Sequence, residues 1–347
     1  MTAIHSYSLC LLGFGNVNRA LVQLLANREQ ELLARGIRCR ITGVASRRLG
    51  WIADANGLDI GLFIGSLPVT SQSFSPALRQ TSNVRDWLRA ANADVLFEAT
   101  SLNVENGEPA VDHIRAALEH GAHAITANKG PIVHAYAELR DLATARKKRF
   151  LFESTVMDGI PIFSVFRENL PALRVNGFRG ILNSTTNVIL GEMERGLSFE
   201  AALAKARELG VAETDAANDL EGWDAAVKVA ALVIVVMGEN LRLSQVQRQG
   251  ISQLQGEEVR AARAAGTPYK LVCRAKRTSN GVEAKVAPER VPLSDPLAWV
   301  AGTSSIVYFE TDIFPGLGIT EENPGLYATA YGMLADFVKA VETFPRE

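Results

Sequence analysis

Two glycines near the N-terminus, Gly13 and Gly15, separate an apolar run from an amphipathic segment. The apolar run covers residues 8–12 and has the length of a strand. After the glycines, apolar side chains recur at the three- and four-residue intervals of one helix face, at Val17, Ala20, Leu21, Leu24 and Leu25. A strand, a tight turn and a helix are therefore predicted, which restricts the chain to folds that place a helix directly after a buried strand.

The same turn is a candidate phosphate site. Gly13 permits the tight turn, and Gly15 lets the backbone approach a dinucleotide pyrophosphate at the positive helix N-terminus. The predicted cofactor contacts here are Gly13, Phe14, Gly15, Asn16 and Val17. Asn18 stands where the dinucleotide fingerprint has its third glycine, and we expect it to weaken the packing of the helix on the strand. An ordinary turn without a ligand is the alternative.

Alternating strands and helices continue downstream of this turn. Strands are predicted over residues 40–46, 94–100 and 123–126, and a helix that begins near Pro109 and ends at Gly121 lies between the last two. This alternation indicates a doubly wound parallel sheet. Because ligands bind beyond the carboxyl ends of such strands, the predicted cofactor contacts also include Thr100, Ser101 and Lys129.

The end of the second strand bears on the choice of cofactor. NAD sites usually place a carboxylate there for the ribose 2′-hydroxyl, whereas this chain has Ser46-Arg47-Arg48. A carboxylate repels a 2′-phosphate, and a guanidinium binds it. Arg47 and Arg48 therefore favour NADP over NAD. The alternative is that both arginines are exposed loop residues without a ligand.

Charge and cysteine content exclude several classes of function. The chain has 36 Lys and Arg against 38 Asp and Glu, so no large positive field attracts nucleic acid or an anionic membrane. Its three cysteines, Cys10, Cys39 and Cys273, lie outside any C-x-x-C spacing, which argues against a disulfide framework or a thiolate zinc site. The N-terminus lacks the features of a signal peptide. We expect a cytoplasmic protein with no nucleic-acid or membrane partner.

Asp224 and Lys228 are the clearest pair of chemical groups. They lie four residues apart and share one face of a predicted helix that is otherwise apolar from Ala225 to Ile234. A lysine in such surroundings needs a partner, and a positioned ammonium can protonate an oxyanion formed by hydride addition to an aldehyde. A surface ion pair of little consequence is the alternative.

Five motifs in one order resemble the homoserine dehydrogenase family. They are Gly13-Phe14-Gly15-Asn16-Val17; Thr126-Ala127-Asn128-Lys129-Gly130-Pro131; Glu153-Ser154-Thr155-Val156 with Gly159-Ile160-Pro161; Leu182-Asn183-Ser184-Thr185-Thr186-Asn187-Val188-Ile189-Leu190; and the stretch from Glu213 to Lys228. The resemblance implies oxidation of L-homoserine to L-aspartate 4-semialdehyde with NAD or NADP, and the reverse reduction, in threonine and methionine biosynthesis.

The resemblance also implies roles for individual residues. Lys228 corresponds to the general acid and base, Asp224 to the residue that orients it or contacts the substrate hydroxyl, and Lys129 to a second active-site lysine. Substrate contacts are implied for Glu213, which takes the substrate ammonium, and for Asp219, Gly210 and Thr185. Gly325 lies in the counterpart of the loop that closes over the cofactor. A sodium ion is implied near Glu153, Val156 and Asp158, largely through backbone carbonyl oxygens.

Several positions depart from the family pattern. Met157-Asp158 replaces a stretch that is commonly glycine-rich, Ser184 replaces a common glycine, and Asn218 replaces a frequent aspartate. These changes motivate one alternative, the same fold acting on another small amino-acid aldehyde or alcohol. A second alternative is a non-catalytic protein that binds or senses NADP.

The fold expected is α/β: a Rossmann-type doubly wound parallel sheet plus an α+β domain for substrate binding and dimerisation. The dinucleotide-binding domain is predicted over residues 1–149 with 322–347, including a helix from about Tyr327 to Val338. The second domain is predicted over residues 150–321, with strands near 180–182, 269–275 and 306–310. The resemblance implies a homodimer, and we expect no appended regulatory domain in a chain of this length.

Overall fold

The structure, a computed structural model, describes residues 3–64, 79–212 and 215–342. The chain divides into two compact units. The first unit comprises Met1–Pro161 and Gly325–Glu347, and the second comprises Ile162–Pro324. The expected boundary after residue 149 thus falls inside the first unit, because the strand at Phe150–Leu151 still pairs with its sheet and the backbone N–H of Glu153 donates to Asp336.

A seven-stranded sheet forms the centre of the first unit. In chain order its strands are β1 (His5–Leu12), β2 (Ile37–Ser46), β3 (Gly50–Ala53), β4 (Arg79–Thr81), β5 (Val95–Glu98), β6 (His123–Thr126) and β7 (Phe150–Leu151). Their order across the sheet is β4-β3-β2-β1-β5-β6-β7. Five strands are parallel, whereas β3 and β4 each pair antiparallel with the preceding strand. The predicted doubly wound sheet is confirmed. The two antiparallel strands at its edge, β3 and β4, were not predicted.

Seven helices accompany this sheet among the described residues. They are α1 (Asn16–Asn27), α2 (Glu29–Ala34), α3 (Gly61–Ile64), α4 (Val84–Ala91), α5 (Ala110–His120), α6 (Gly130–Ala145) and the last helix of the chain, α12 (Leu326–Val341). Gly121, with φ of +93°, ends α5 at the predicted residue. The ring of Phe337 on α12 contacts those of Tyr7 and Phe97, at centroid distances of 6.0 and 5.8 Å, so α12 completes the core of the first unit.

Asn18 ties α1 to the strand before it. Its side chain is fully buried, and its Nδ2 donates to the carbonyl oxygens of Leu12 at 3.1 Å and Gly13 at 3.2 Å. We expected this residue only to weaken the packing of helix on strand. That expectation omitted the two hydrogen bonds, through which the amide holds the end of β1 and the turn to the first turn of α1.

The second unit contains a six-stranded sheet with the order β13-β12-β8-β10-β11-β9. Its strands are β8 (Val175–Ile181), β9 (Gln247–Arg248), β10 (Tyr269–Thr278), β11 (Gly281–Arg290), β12 (Ser305–Thr311) and β13 (Leu317–Glu321). Four of the pairings are antiparallel, and β9 is parallel to β11. The helices are α7 (Ser184–Glu194), α8 (Phe199–Glu208), α9 (Ala217–Leu220), α10 (Trp223–Leu232) and α11 (Gly256–Ala264).

Helix α10 carries Asp224 and Lys228, as predicted, and continues into a π-helical turn over Val233–Met237. Gly238, with φ of +69°, ends this segment. Cys10, Cys39 and Cys273 are free thiols. Within the described ranges, the helices are too short or too polar to cross a membrane.

Candidate active site

A pocket of about 590 Å³ opens in the first unit, at the carboxyl ends of β1, β2 and β5. Seven of the predicted cofactor residues line it: Gly13, Phe14, Gly15, Arg47, Arg48, Thr100 and Ser101. Its described lining does not include Asn16, Val17, Lys129 or Gly325. From β1 the strand order runs outward to β2 on one side and to β5 on the other, so the pocket lies where the strand order reverses. Doubly wound sheets bind their ligands at this position.

The two glycines of the turn have different surroundings. Gly13 has φ of +80°, and a Cβ added there would lie 2.7 Å from the backbone nitrogen of Thr100. Gly15 has extended φ of −98°, and a Cβ added there would meet nothing within 4 Å. Gly13 is therefore required by the turn itself, whereas the absence of a side chain at Gly15 keeps the pocket open.

The N-terminus of α1 begins at this open space. No side chain of the described residues caps it, and the first N–H groups of a helix, here those of Asn16 and Val17, have no acceptor within the helix. Backbone donors and the positive end of the helix dipole suit a phosphate group. The residues present therefore fit the pyrophosphate of a dinucleotide.

A buried hydrogen-bond network joins the ends of β5 and β6. Glu98 is fully buried; one carboxylate oxygen accepts from the backbone N–H and hydroxyl of Thr100, and the other accepts from the Thr126 hydroxyl at 2.7 Å. The Thr126 oxygen in turn accepts from the backbone N–H of Asn128, whose Nδ2 donates to the carbonyl oxygens of Thr100 and Ser101. Burial raises the pKa of the Glu98 carboxyl. The network fixes the two loops that carry Ser101 and Lys129.

Glu98 and the part of the pocket beside Arg48 were not predicted from the sequence. Three further residues line the pocket there: Trp51, Pro109 and His113. The rings of Trp51 and His113 are in edge contact, with centroids 6.1 Å apart. Burial lowers the pKa of His113 to about 4, so its ring is neutral at physiological pH. Glu98 could have been predicted, because it is a carboxylate at the end of an otherwise apolar strand. Trp51 could not, because the hydrophobic pattern of the sequence did not indicate the antiparallel strand on which it lies.

The other predicted residues of the first unit lie at helix starts. Lys129 precedes the first residue of α6, directly after the Asn128 network. Gly325 precedes α12 and is exposed.

Arg47 and Arg48 line the pocket and are also exposed. Their position is therefore compatible both with binding of the NADP 2′-phosphate and with the alternative, two loop residues without a ligand.

The second unit brings Asp224 and Lys228 together. Lys228 Nζ lies 3.2 Å from Asp224 Oδ2 and donates to the carbonyl oxygen of Leu182 at 2.6 Å. Both side chains are more than four-fifths buried, with 16% and 18% exposure. A surface ion pair therefore does not describe them, and the ammonium is held in one position.

Asn183 connects this pair to Asp219. Its Nδ2 lies 2.7 Å from Asp219 Oδ1 and 3.1 Å from Asp224 Oδ2. Burial and the nearby charge of Asp224 raise the pKa of Asp219. The sequence analysis quoted Asn183 within a motif but assigned it no contact, because a bridge between residues 36 and 41 positions away depends on the fold.

Two other predicted substrate residues lie close in the chain to this cluster. The Thr185 hydroxyl donates to the carbonyl oxygen of Val211 at 3.1 Å, which ties α7 to the segment after α8. Gly210, with φ of +70°, forms the turn at the end of α8 and is exposed. Glu213 lies outside the described residues. The Ser184 hydroxyl donates to the carbonyl oxygen of Thr303 at 3.0 Å, and Asn218 is exposed.

The three residues predicted for sodium lie in one buried segment of the first unit. Glu153 and Val156 are buried, and Asp158 Oδ1 accepts from the hydroxyl of Thr329 at 2.6 Å. In the part of the chain that the structure describes, no three acidic, histidine or cysteine side chains converge as metal ligands. A cation here would depend mainly on backbone carbonyl oxygens, whose chemistry suits a hard ion.

The arrangement provides two complementary sets of groups, one in each unit. The first unit offers a phosphate cradle at α1 and two arginines at the end of β2. The second offers a buried ammonium beside carboxylates. The groups of the first unit can hold the phosphates of a dinucleotide. Those of the second can bind a cationic group on a small substrate and supply a proton.

Comparisons with known proteins identify relatives across the whole chain. The family model described as homoserine dehydrogenase matches residues 161–338, and the model of the homoserine dehydrogenase NAD-binding domain matches residues 13–153. An NAD(+)-dependent homoserine dehydrogenase from Pseudomonas canavaninivorans is 34% identical over 345 residues, which are 98% of this chain and 98% of the relative.

Solved structures give the same result. The homoserine dehydrogenase from Thiobacillus denitrificans has a TM-score of 0.81 at 30% identity, covering 98% of this chain and 74% of that one. A hyperthermophilic archaeal homoserine dehydrogenase mutant in complex with NADPH has a TM-score of 0.81 at 26% identity, covering 98% and 99%. The similarity thus covers both units of the chain.

Proposed function

Since the chain belongs to the homoserine dehydrogenase family, we propose that it interconverts L-homoserine and L-aspartate 4-semialdehyde with NAD(P), in threonine and methionine biosynthesis. The observation that carries this proposal is the buried pair of Lys228 and Asp224, to which Asn183 joins Asp219. A binding protein without catalysis has no need of a lysine ammonium held at this position beside two carboxylates.

Lys228 is the proposed general acid of the reduction. Its ammonium is oriented by Asp224 Oδ2 and by the carbonyl oxygen of Leu182, so a proton can point consistently at a substrate oxygen. The nicotinamide, when bound, supplies or accepts the hydride. In the oxidative direction, Lys228 in its neutral form takes the hydroxyl proton.

The acidic residues are proposed to bind the substrate ammonium. Asp219 and Glu213 have the required charge, and Asp219 lies in the Asn183 cluster beside Lys228. Thr185 and Gly210 are proposed to shape the same substrate pocket, since the Thr185 hydroxyl holds the segment that leads from Gly210 to Glu213. A carboxylate that is partly buried binds an ammonium more strongly than one in water.

Lys129 is proposed to act at the nicotinamide end of the cofactor site. Two observations support this: it follows the strand-end network of Glu98, Thr126 and Asn128, and that network also positions Thr100 and Ser101 of the pocket. Asn16, Val17 and Gly325 are proposed as backbone contacts, because each lies at the start of a helix.

NADP is the proposed cofactor, with NAD as the second candidate. The described lining of the pocket contains Arg47 and Arg48 and no carboxylate, which favours a 2′-phosphate over a free 2′-hydroxyl. NAD is favoured by the Pseudomonas canavaninivorans relative, which is named as NAD(+)-dependent. Measuring kcat/KM for both cofactors in the wild type and in Arg47→Ala and Arg48→Ala decides between them; a wild-type preference for NAD would overturn the NADP proposal.

Two further parts of the proposal rest on the resemblance alone, a homodimer and a sodium ion held near Glu153, Val156 and Asp158. Another part, a cytoplasmic location, rests on the sequence composition. Sedimentation of the purified chain tests the homodimer, and fractionation of cells tests the location. Exchange of sodium for a large organic cation tests the sodium site; unchanged stability and activity after exchange would remove sodium from the proposal.

A spectrophotometric assay tests the main proposal. NADPH consumption with L-aspartate 4-semialdehyde is measured for the wild type, Lys228→Ala and Lys205→Ala. Lys228→Ala should lose 10²- to 10⁴-fold in kcat, the range expected for a general acid. Lys205, exposed and paired with Glu208 on α8, is the matched control and should retain activity. Absence of turnover in the wild type would overturn the function, and a fully active Lys228→Ala would overturn the role of Lys228.

A further inference from the structure

We propose that Asn183 is a positioning residue that holds the carboxylates of Asp219 and Asp224 at a fixed separation. This inference rests on the proposed function, because the roles of the two aspartates belong to it. The residue lies between the end of β8 and the start of α7, next to Leu182, whose carbonyl oxygen accepts from Lys228. Its backbone position is thus set by the strand that also holds the ammonium.

The orientation of the Asn183 amide is determined by its contacts. Its Oδ1 accepts from the backbone N–H of Thr186 at 2.9 Å and from the Thr186 hydroxyl at 2.8 Å, so it caps the N-terminus of α7. An amide with oxygen and nitrogen exchanged would place its donors against the Thr186 N–H and its oxygen against two carboxylates. The NH₂ group must therefore face the aspartates.

The two hydrogens of this NH₂ group serve two different carboxylates. Nδ2 lies 2.7 Å from Asp219 Oδ1 and 3.1 Å from Asp224 Oδ2, which uses its full donor capacity. Because both oxygens lie near one nitrogen, they are less than about 6 Å apart, a distance at which two negative charges in a partly buried site repel each other. The shared donor offsets part of that repulsion.

Other groups act on Asp219 from the neighbouring elements. Asp224 and Lys228 face it from α10, the negative charge raising its pKa and the positive charge lowering it. The hydrogen bond from Asn183 and the nearby Thr185 on α7 also lower its pKa, while burial raises it. Arg248 and Glu221, which follows α9, form an ion pair with each other at 3.8 Å. The Asn183 amide contacts both aspartates through one nitrogen.

Loss of the amide donor therefore has a defined consequence. The pKa of Asp219 rises further, and the protonated carboxyl no longer attracts the substrate ammonium. Asp224 loses the contact from Asn183 to the oxygen that faces Lys228. The affinity for the amino-acid substrate falls, with the greatest effect at the acidic end of the pH range.

Two substitutions at position 183 remove the NH₂ donor to the aspartates but keep an oxygen that caps α7. Asn183→Asp and Asn183→Ser both retain a side-chain oxygen that caps α7, since Asn, Asp and Ser are about equally good in that position. Asn183→Asp adds a charge, whereas Asn183→Ser adds none. In both variants we expect the acidic limb of the pH profile of kcat/KM to move up by about one unit, and KM for L-homoserine to rise at least tenfold. The KM for the cofactor should stay within about twofold.

Asn187→Ser is the matched control, because Asn187 lies one turn later on α7. Its amide donates to the carbonyl oxygen of Gly302 and accepts from Lys270, and it touches neither aspartate. The control should leave the acidic limb in place even if it lowers stability. A displaced limb in the control would show that disturbance of α7, and not the donor, moves the profile.

Each result decides the proposal. Unchanged pH profiles and KM values in both Asn183 variants would overturn it. Unfolding of both variants would also overturn it, since the cap oxygen is retained and the role would then be structural. An inactive wild type would instead overturn the proposed function, which distinguishes the two failures.

Discussion

The hydroxyl of Thr126 donates a 2.7 Å hydrogen bond to the carboxylate of Glu98. Both side chains are fully buried at the ends of the neighbouring parallel strands β5 and β6. The same hydroxyl oxygen accepts from the backbone N–H of Asn128. One side chain thus links the two loops that follow these strands.

Thr126→Val should disconnect these loops. Valine has nearly the same shape but leaves one Glu98 oxygen and the Asn128 N–H without their partner, which costs roughly 1–3 kcal/mol of unfolding free energy per buried group. We also expect KM for NADPH to rise several-fold, because Ser101 and Lys129 lose their support. Urea denaturation and steady-state kinetics measure the two effects. Thr126→Ser retains the hydroxyl, and a loss of cofactor affinity as large in this control would contradict the explanation.

The two glycines of the β1–α1 turn should respond differently to alanine. Gly15→Ala places a methyl group in open space, so the midpoint of thermal unfolding should change by only a few degrees, whereas cofactor binding weakens at least tenfold. Gly13→Ala introduces a Cβ against the backbone of Thr100 at a positive φ, and should lower the unfolding midpoint markedly. Thermal denaturation and titration with NADPH test the pair. Equal stability losses in both variants would contradict this distinction.

Stability should fall in mild acid because of His113. Its pKa is lowered from 6.5 to about 4 in the folded protein, so the unfolded state binds the proton more readily. The stabilisation is complete above pH 6.5 and is lost as the pH falls to about 4, a change of roughly 2–3 kcal/mol. His123 has the same direction and a pKa of about 4. Urea denaturation at several pH values should show a smaller decline in His113→Phe, and an unchanged decline would refute the assignment.

Asn18→Gly restores the third glycine of the dinucleotide fingerprint, yet it should destabilise this protein. The substitution removes hydrogen bonds to the carbonyl oxygens of Leu12 and Gly13 and puts glycine inside α1, each worth on the order of 1 kcal/mol. Asn18→Ala, which avoids the glycine penalty, separates the two terms. Chemical denaturation of both variants gives the comparison. A glycine variant as stable as the wild type would show that the amide bonds contribute nothing.

Local patterns in the sequence predicted the elements that carry the chemistry. The turn at Gly13 and Gly15, the end of α5 at Gly121 and the shared helix face of Asp224 and Lys228 each depend on residues close in the chain, so the sequence was sufficient for them. The antiparallel strands β3 and β4, of four and three residues, were not predicted. The parallel strands β5 and β6 are as short, but they lie on either side of a predicted amphipathic helix, and that alternation revealed them.

The contacts that organise the site were harder to predict than the groups themselves. Asn183 reaches its two aspartates only after β8 and α10 have packed, and Glu98 reaches Thr126 only through strand pairing. The sequence supplied the charged residues by resemblance and spacing. It contains no local sign of which amide or hydroxyl will lie between them.

The last helix has a consequence for the order in which the protein is made. Met333 and Phe337 of α12 belong to the core that also contains Leu9 and Leu11, but the ribosome synthesises the entire second unit between these segments. A nascent chain that has already formed β1 to β7 still presents apolar surface that only α12 can cover. The second unit, contiguous in the chain, is therefore the first that can finish folding during translation, and the N-terminal sheet, although made earlier, must wait for the final helix to emerge.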